Sequence, residues 1–490
     1  MSELSSRPAQ GGGAQGLVSR PVQVAFALGA AATAACNQIV VVLLIRFLTD
    51  NLAMSAALAA LLFAVTKVYD GIVDPLVGYA SDRTSTRWGR RLPYLLAAGI
   101  LMPLSILGLF APPIHQSGWV LTAWVGFMLL VHGTAYSLYT VPSGAMSVEV
   151  TDGYHDRSVL MTVKMYGFFA GQIIGSSLPP WLLAAWGGGR EGHAGMAMVL
   201  AAIVGLMALV SVPLLRGARA TRDARKSGGT AKGLFGQLGI AWGNRPFRVM
   251  VMVHVVFMVG TATASSSNAY FTRYVLQRTD AWLGAFYIFL TLGNWLAMPA
   301  WLWLSRRIDK KATYVTALLL YGLGVLSWMV AGPADPLWLL GLRVTLIGAA
   351  MSGVILLAQS MLTDAVRYDY VVHGLRREGA FTGIMSLVDK LSSAAGLVAM
   401  GSLLSAMGYA GGRGGAAVLA NPEALTGIYW CFSLIPALMA FGAVLMLRGY
   451  RLTEADLAEP GEIGPGETGP VAHAAEPGAA TVAPAQVLAL

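Results

Sequence analysis

Asp70 and Asp74 are the residues of this 490-residue chain best able to do chemistry. They stand in the run Lys67-Val-Tyr-Asp-Gly-Ile-Val-Asp-Pro75, which continues an apolar stretch that begins near Ala57. Four residues apart, the two carboxylates stack on one face of a helix. A carboxylate in the bilayer interior costs roughly 2.5–3.5 kcal/mol on insertion scales, so such residues face cavities and mark ion or proton paths. Two stacked carboxylates also repel each other unless a cation or a proton lies between them. The pair is therefore a candidate cation site. The competing reading is structural, with both carboxylates satisfied by an Arg or a Tyr of a neighbouring helix.

The rest of the composition says what must hold such a pair. Hydrophobic residues make up 56% of the chain and charged residues only 12%, about half the share in soluble domains. Apolar runs long enough to span a bilayer recur along nearly the whole length. The net charge of +9 does not point to nucleic acid, because the basic residues sit in short loops between apolar runs, as the positive-inside rule describes. Cys36 and Cys431 fall in apolar segments, so neither a disulfide framework nor a metal-ligand spacing is indicated. No nucleophile–base pair or phosphate loop is spaced for an enzyme, and no cofactor is expected. Met1 to Gln23 lacks the apolar core and cleavage site of a signal peptide, so the first span should act as its own insertion signal.

The hydropathy pattern predicts an all-α membrane protein with twelve helices, near 22–48, 54–80, 92–112, 118–143, 159–185, 195–215, 247–273, 281–305, 312–331, 336–362, 380–408 and 426–448. Gly78-Tyr-Ala-Ser-Asp-Arg-Thr84 with Arg90-Arg-Leu-Pro-Tyr94 is echoed six helices later by Trp303-Leu-Ser-Arg-Arg-Ile-Asp-Lys-Lys-Ala-Thr-Tyr314. That repeat implies two pseudo-symmetric six-helix bundles, over 21–215 and 247–448. The basic segment 216–246 joins them, and polar tails, 1–20 and 449–490, flank them and are expected to be disordered. The basic loops after helices two, six, eight and ten place those loops and both termini in the cytoplasm. The surroundings expected are the lipid bilayer and a small-molecule substrate, with the chain a monomer in the inner membrane.

Four motifs in order carry a resemblance. The first is Asp70-x3-Asp74-Pro-x2-Gly-x3-Asp82-Arg83-Thr-x-Thr-Arg-Trp-Gly-Arg90-Arg91-x-Pro-Tyr94. Next come Tyr139-Thr-Val-Pro-Ser-Gly-Ala-Met-Ser-Val-Glu-Val-Thr-Asp152 with His155-Asp-Arg157, and Met361-Leu-Thr-Asp-Ala-Val-Arg-Tyr-Asp-Tyr370. The last is Arg376-Arg-Glu-Gly379, followed by Met385 to Lys390. From about Ala25 to Leu447 the chain resembles the glycoside–pentoside–hexuronide:cation symporter family, the melibiose-permease branch of the major facilitator superfamily. The resemblance implies the twelve-helix major facilitator fold and symport of a glycoside-like solute with a cation by alternating access.

Site residues follow residue by residue from the same resemblance. Ser137 would add a hydroxyl to the cation site of Asp70 and Asp74. Where the family's sodium users often carry a side-chain carbonyl, this chain has Val73, so a proton is slightly favoured over Na+ as coupling ion; a proton needs only a carboxylate able to titrate. The family's sugar-binding acid of helix one is missing, and that of helix four aligns with Thr140. Asn37 and Gln38 are the polar groups left in helix one and bond either a ligand or a neighbouring helix. Lys164 and Lys390 align with the family's basic residues, Lys390 pairing alternatively with Asp389 or with the Asp70/Asp74 pair. Two lysines and no acid favour an anionic substrate, such as a hexuronide or a sulfonated sugar. Tyr139 and Tyr166, beside the motifs, are the best aromatic candidates to stack on a sugar. Asp82, Arg83, Arg90, Arg91, Glu149, Asp152, Arg157, Asp364, Arg377 and Glu378 would form a cytoplasmic gate that locks the outward-open state. Arg46 and Arg273 are expected to snorkel at the outer face. A lysolipid or amphipath carrier of the same fold is the alternative, and a non-transporting membrane sensor or scaffold a third.

Overall fold

Backbone N–H and C=O groups find no partner in lipid except their own chain, so apolar stretches of this length fold as helices. The computed structural model of the protein describes residues 19–113, 118–150, 154–216, 243–373, 378–409 and 418–452. Among these residues twelve long helices make up most of the chain. They are α1 (Arg20–Ile39), α2 (Ala56–Arg83), α3 (Leu92–Phe110), α4 (Trp119–Glu149), α5 (Tyr154–Trp186) and α6 (Gly189–Leu215), then α7 (Arg245–Tyr270), α8 (Asp280–Arg307), α9 (Lys310–Leu326), α10 (Leu337–His373), α11 (Glu378–Ala406) and α12 (Pro422–Leu447). Eleven are long and apolar enough to cross a membrane. The remaining one, α5, is diluted by Gln172, Ser176, Ser177 and the pair Pro179-Pro180.

Helix ends depart from the hydropathy reading in both directions: α4 and α10 overrun it at their C-terminal ends, whereas α3 and α11 stop slightly short of it. α4 runs to Glu149 and α10 to His373, several residues past the apolar runs. The bilayer sets the length of the apolar part, about 20 residues, but helical bonding continues into charged turns that stand in water.

The packing repeats with a period of six helices. In the first half α1 lies on α5 and α6, α3 on α4 and α6, and α2 on α4. In the second half α7 lies on α11 and α12, α9 on α10 and α12, and α8 on α10. The halves meet along α2–α11 and α5–α8, two contacts that a shift of six exchanges. Small residues set the closest approach. On α5, Gly167, Gly171 and Gly175 press on Ala27, Ala31 and Ala35 of α1, and an added Cβ would sit 2.1, 2.2 and 2.5 Å from the opposing carbonyl oxygens.

The arginine-rich loops after α2 and between α8 and α9 mark one face of the molecule, here the basic face. Near the opposite face the helices of both halves carry π-helical turns: Val40–Leu44 and Phe47–Asn51 beyond α1, Phe271–Val275 beyond α7, and Trp430–Leu434 within α12. Such turns are rare and recur at functional places. Arg46, Asp50 and Tyr274 lie in or beside them.

Candidate functional site

The charged centre is built by two helix faces in register. On α2, Asp70 and Asp74 are one turn apart; on α4, Gly133 and Ser137 are one turn apart and face them. Ser137 Oγ donates to Asp74 Oδ1 at 2.5 Å. Gly133 leaves the space that Asp70 fills, since a Cβ there would lie 2.2 Å from Asp70 Oδ1. Beside them the hydroxyls of Tyr69 and Thr134 share a hydrogen bond of 2.9 Å.

Two lysines neutralise the two carboxylates. Lys390 of α11 donates to Asp74 Oδ2, so this ion pair crosses from one bundle to the other. Lys67 Nζ lies 3.8 Å from Asp70 Oδ2 and donates to Asn37 Oδ1 at 3.5 Å. Asp70 is buried, and its Oδ1 has no hydrogen-bond partner among the described residues. A buried carboxylate oxygen without a partner is costly and needs a reason. Val73, between the two acids, is buried and apolar. Lys67 was missed by sequence reasoning, although its spacing of three from Asp70 is a helical contact.

The other expected residues divide. Gln38 bonds Gln172 of α5, so its amide joins two helices. Thr140 donates to the Tyr136 carbonyl of its own helix at 2.9 Å. Tyr139 is corrected: it is buried, its hydroxyl shares a 2.5 Å hydrogen bond with Ser211 of α6, and its ring fills the notch at Gly29 of α1. It stands two residues past Ser137, some 200° around the helix, and so turns away from the charged centre. Lys164 is half-buried on α5 with no partner among the described residues, and Tyr166 is 69% exposed. Asp389, the other partner considered for Lys390, is taken by His254 of α7.

At the basic face Arg91 pairs with Asp82 at 3.2 Å and donates to the Pro142 carbonyl, while Arg83 stacks on Tyr79. Lys310 pairs with Asp364 at 2.6 Å. Each pair lies within one bundle, so neither ties the halves together. Arg90 sits in the same α2–α3 loop. Asp152 and Arg377 fall outside the described residues, as do the side chains of Glu149, Arg157 and Glu378.

The opposite face is tied shut, and here the expectation for Arg46 fails. Arg46 does not snorkel: it is buried and pairs with Asp280 of α8 at 2.6 Å, across the two halves. The interface exposes an opposite charge that snorkelling toward water would forfeit. Asp50 accepts from the hydroxyls of Tyr274 and Tyr409, and Thr49 shares a 2.8 Å hydrogen bond with Tyr270. Burial pushes the Tyr409 phenol well up, with Tyr270 and Asp50 adding to it, so it stays a protonated donor. Trp181 of α5 donates to the Ala281 carbonyl at 3.0 Å, and the Ala57 N–H to Ser405 of α11 at 3.1 Å. Every one of these contacts joins one bundle to the other.

The sequence profile of the family described as MFS/sugar transport protein matches residues 25–454. The isoprimeverose transporter of Lactiplantibacillus pentosus is 28% identical over 385 residues, covering 76% of this chain and 78% of that one. The glucuronide carrier protein homolog of Escherichia coli K12 is 25% identical over 454 residues, covering 89% and 91%. A solved structure of a bacterial homolog of the human lysosomal transporter Spinster, inward-facing and unoccupied, shares the fold with a TM-score of 0.67 at 14% identity, over 90% of this chain and all of that one.

Proposed function

The chain belongs to the MFS/sugar transport protein family and is a multi-pass membrane transporter, and from that premise we propose that it is a proton-coupled symporter of an anionic glycoside. The observation that carries this reading is the ion pair from Lys390 to Asp74. A proton arriving at Asp74 removes the negative partner of Lys390 and loosens the α2–α11 seam near mid-membrane. Coupling then needs no long path: the titrating group is itself part of the contact that rocking of the bundles must change.

A proton fits better than sodium on charge and on ligands. Asp70 and Asp74 are already matched by Lys67 and Lys390, so a metal cation would have to displace an ammonium. Sodium also wants several oxygens, and Val73 supplies none from its side chain. The orphaned Asp70 Oδ1 is an open acceptor through which a proton could enter the cluster. With Lys390 engaged, the case for a negative group on the substrate rests on Lys164, which lies at about the same depth as Asp74 when counted at 1.5 Å per residue from the basic face.

The positive-inside rule puts the basic face and both termini in the cytoplasm. The present state is then closed to the outside by the Arg46–Asp280 and Asp50–tyrosine contacts. The protein works as a monomer, each bundle rocking against the other.

The deciding experiment is uptake by purified protein in liposomes under imposed proton or sodium gradients. The panel is isoprimeverose, an uncharged glycoside, and methyl glucuronide, its charged counterpart. Uptake of the glucuronide driven by protons is the expected result. Transport indifferent to both gradients sinks the symporter, and would move attention to a lysolipid as cargo. In the same assay Gly133→Ala is expected to cut proton-driven uptake at least about tenfold, because the new methyl displaces the Asp70 carboxylate it touches. Unchanged uptake in that variant would mean that Asp70 need not sit where α4 now leaves room for it.

A further inference from the structure

We propose that the second bundle holds a subsite for a neutral hydroxylated ring, one sugar unit in size, just beneath the closed face. The inference rests on the glycoside reading and deepens it. A cavity of about 100 Å³ opens among α7, α8, α9, α10 and α12. One water needs only about 10–15 Å³ by this measure, so the space is too large to be a packing defect.

Two residues of its lining carry polar atoms left without a partner among the described residues. Asn268 of α7 is 2% exposed and Trp328, directly after α9, is fully buried; Asn268 Oδ1 and Trp328 Nε1 both lack a hydrogen-bond partner among the described residues. In a membrane protein an unpaired buried amide or indole N–H costs several kcal/mol per group. One is an acceptor and the other a donor, as a ring hydroxyl requires. The Tyr287 hydroxyl of α8 interacts with the Asn268 side chain and is a third polar group on this wall. Phe286 and Phe432 supply apolar faces on which the C–H side of a sugar can lie, the usual mix of a small-molecule pocket. No carboxylate, amine, guanidinium or imidazole lines the cavity, so the ring it takes is uncharged.

Its place in the fold fits a first stop for solute from that face. Asn268 stands two residues before Tyr270, and Tyr287 seven residues after Asp280, about 10 Å along α8. Both neighbours belong to the contacts that shut the face.

The test uses full-length protein in liposomes, with Asn268→Leu and Trp328→Phe. The first replaces the amide by an apolar group of similar volume; the second removes the indole N–H together with part of the ring, leaving an aromatic face. The readout is the KM and maximal rate for methyl glucuronide and for isoprimeverose, with the number of protons moved per solute. The expected result is a KM raised about tenfold in each variant, with maximal rate and proton ratio kept. Equal KM in parent and both variants would mean that the cavity holds water only. A uniform fall in maximal rate with unchanged KM would reduce Asn268 and Trp328 to structural roles. If the parent takes up neither the glucuronide nor isoprimeverose, the glycoside reading fails and this subsite with it.

Discussion

Asp74→Asn is expected to abolish accumulation while leaving downhill exchange of substrate. Asn keeps the shape of the protonated acid and still accepts from Ser137, but it cannot alternate between charge states. One coupled proton under a gradient of one pH unit carries about 1.4 kcal/mol, which supports about tenfold accumulation. The variant should hold the inside-to-outside ratio near about one, with counterflow of labelled substrate persisting. Removing one partner of a buried pair costs about 3–5 kcal/mol. Asp74 is 29% and Lys390 19% exposed, so solvent screening trims the expected loss of stability to about 1–3 kcal/mol. Adding Lys390→Met removes the stranded ammonium and should recover that stability without recovering accumulation. That split separates coupling from folding. Accumulation by Asp74→Asn equal to that of the parent would take Asp74 out of the proton path.

What could be read from the sequence follows the range of the interactions. The acids on α2 were legible because a charge inside an apolar run is costly wherever the chain folds. Lys67 was equally local, three residues from Asp70, and could have been read from helical spacing alone. The wrong face assigned to Tyr139 was also within reach: with Ser137 aimed at α2, two residues of helix turn Tyr139 to the other side. By contrast Arg46 and Asp280 are 234 residues apart, and their pairing depends on which face of the transporter is closed. A sequence encodes both states of a rocking protein, and a hydropathy pattern selects neither. The cavity beside Asn268 is less legible still, since an unsatisfied amide is defined by what five helices fail to bring near it.

The two ends of the molecule also use charge differently, and that difference makes the closed state fragile at one point. At the basic face the described pairs Asp82–Arg91 and Lys310–Asp364 stay inside a bundle. They can persist through a rigid-body rock and so bias it little. At the opposite face the buried salt bridge Arg46–Asp280 and a set of phenol hydrogen bonds span the seam among the described residues. Only contacts made in one state and broken in the other shift the balance between them.

Arg46→Ala should therefore open that face. It strands Asp280, which is 13% exposed, and a stranded partner of this kind costs about 3 kcal/mol, roughly a hundredfold in the ratio of closed to open. Spin labels on Glu191→Cys and Ala334→Cys, exposed residues of opposite bundles at this face, would report the separation; Cys36 and Cys431 are buried and should not react. The expected result is a longer distance population in Arg46→Ala and in Asp280→Asn, and return of the short one in the charge-swapped pair Arg46→Asp with Asp280→Arg. Uptake in the single variants should slow, because each cycle must close the face again without its salt bridge. An unchanged distance distribution in both single variants would leave the tyrosines around Asp50 as the contacts that hold the face shut. The same labels on Tyr274→Phe with Tyr409→Phe would then measure their share, since those changes remove both donors to Asp50 while keeping the rings.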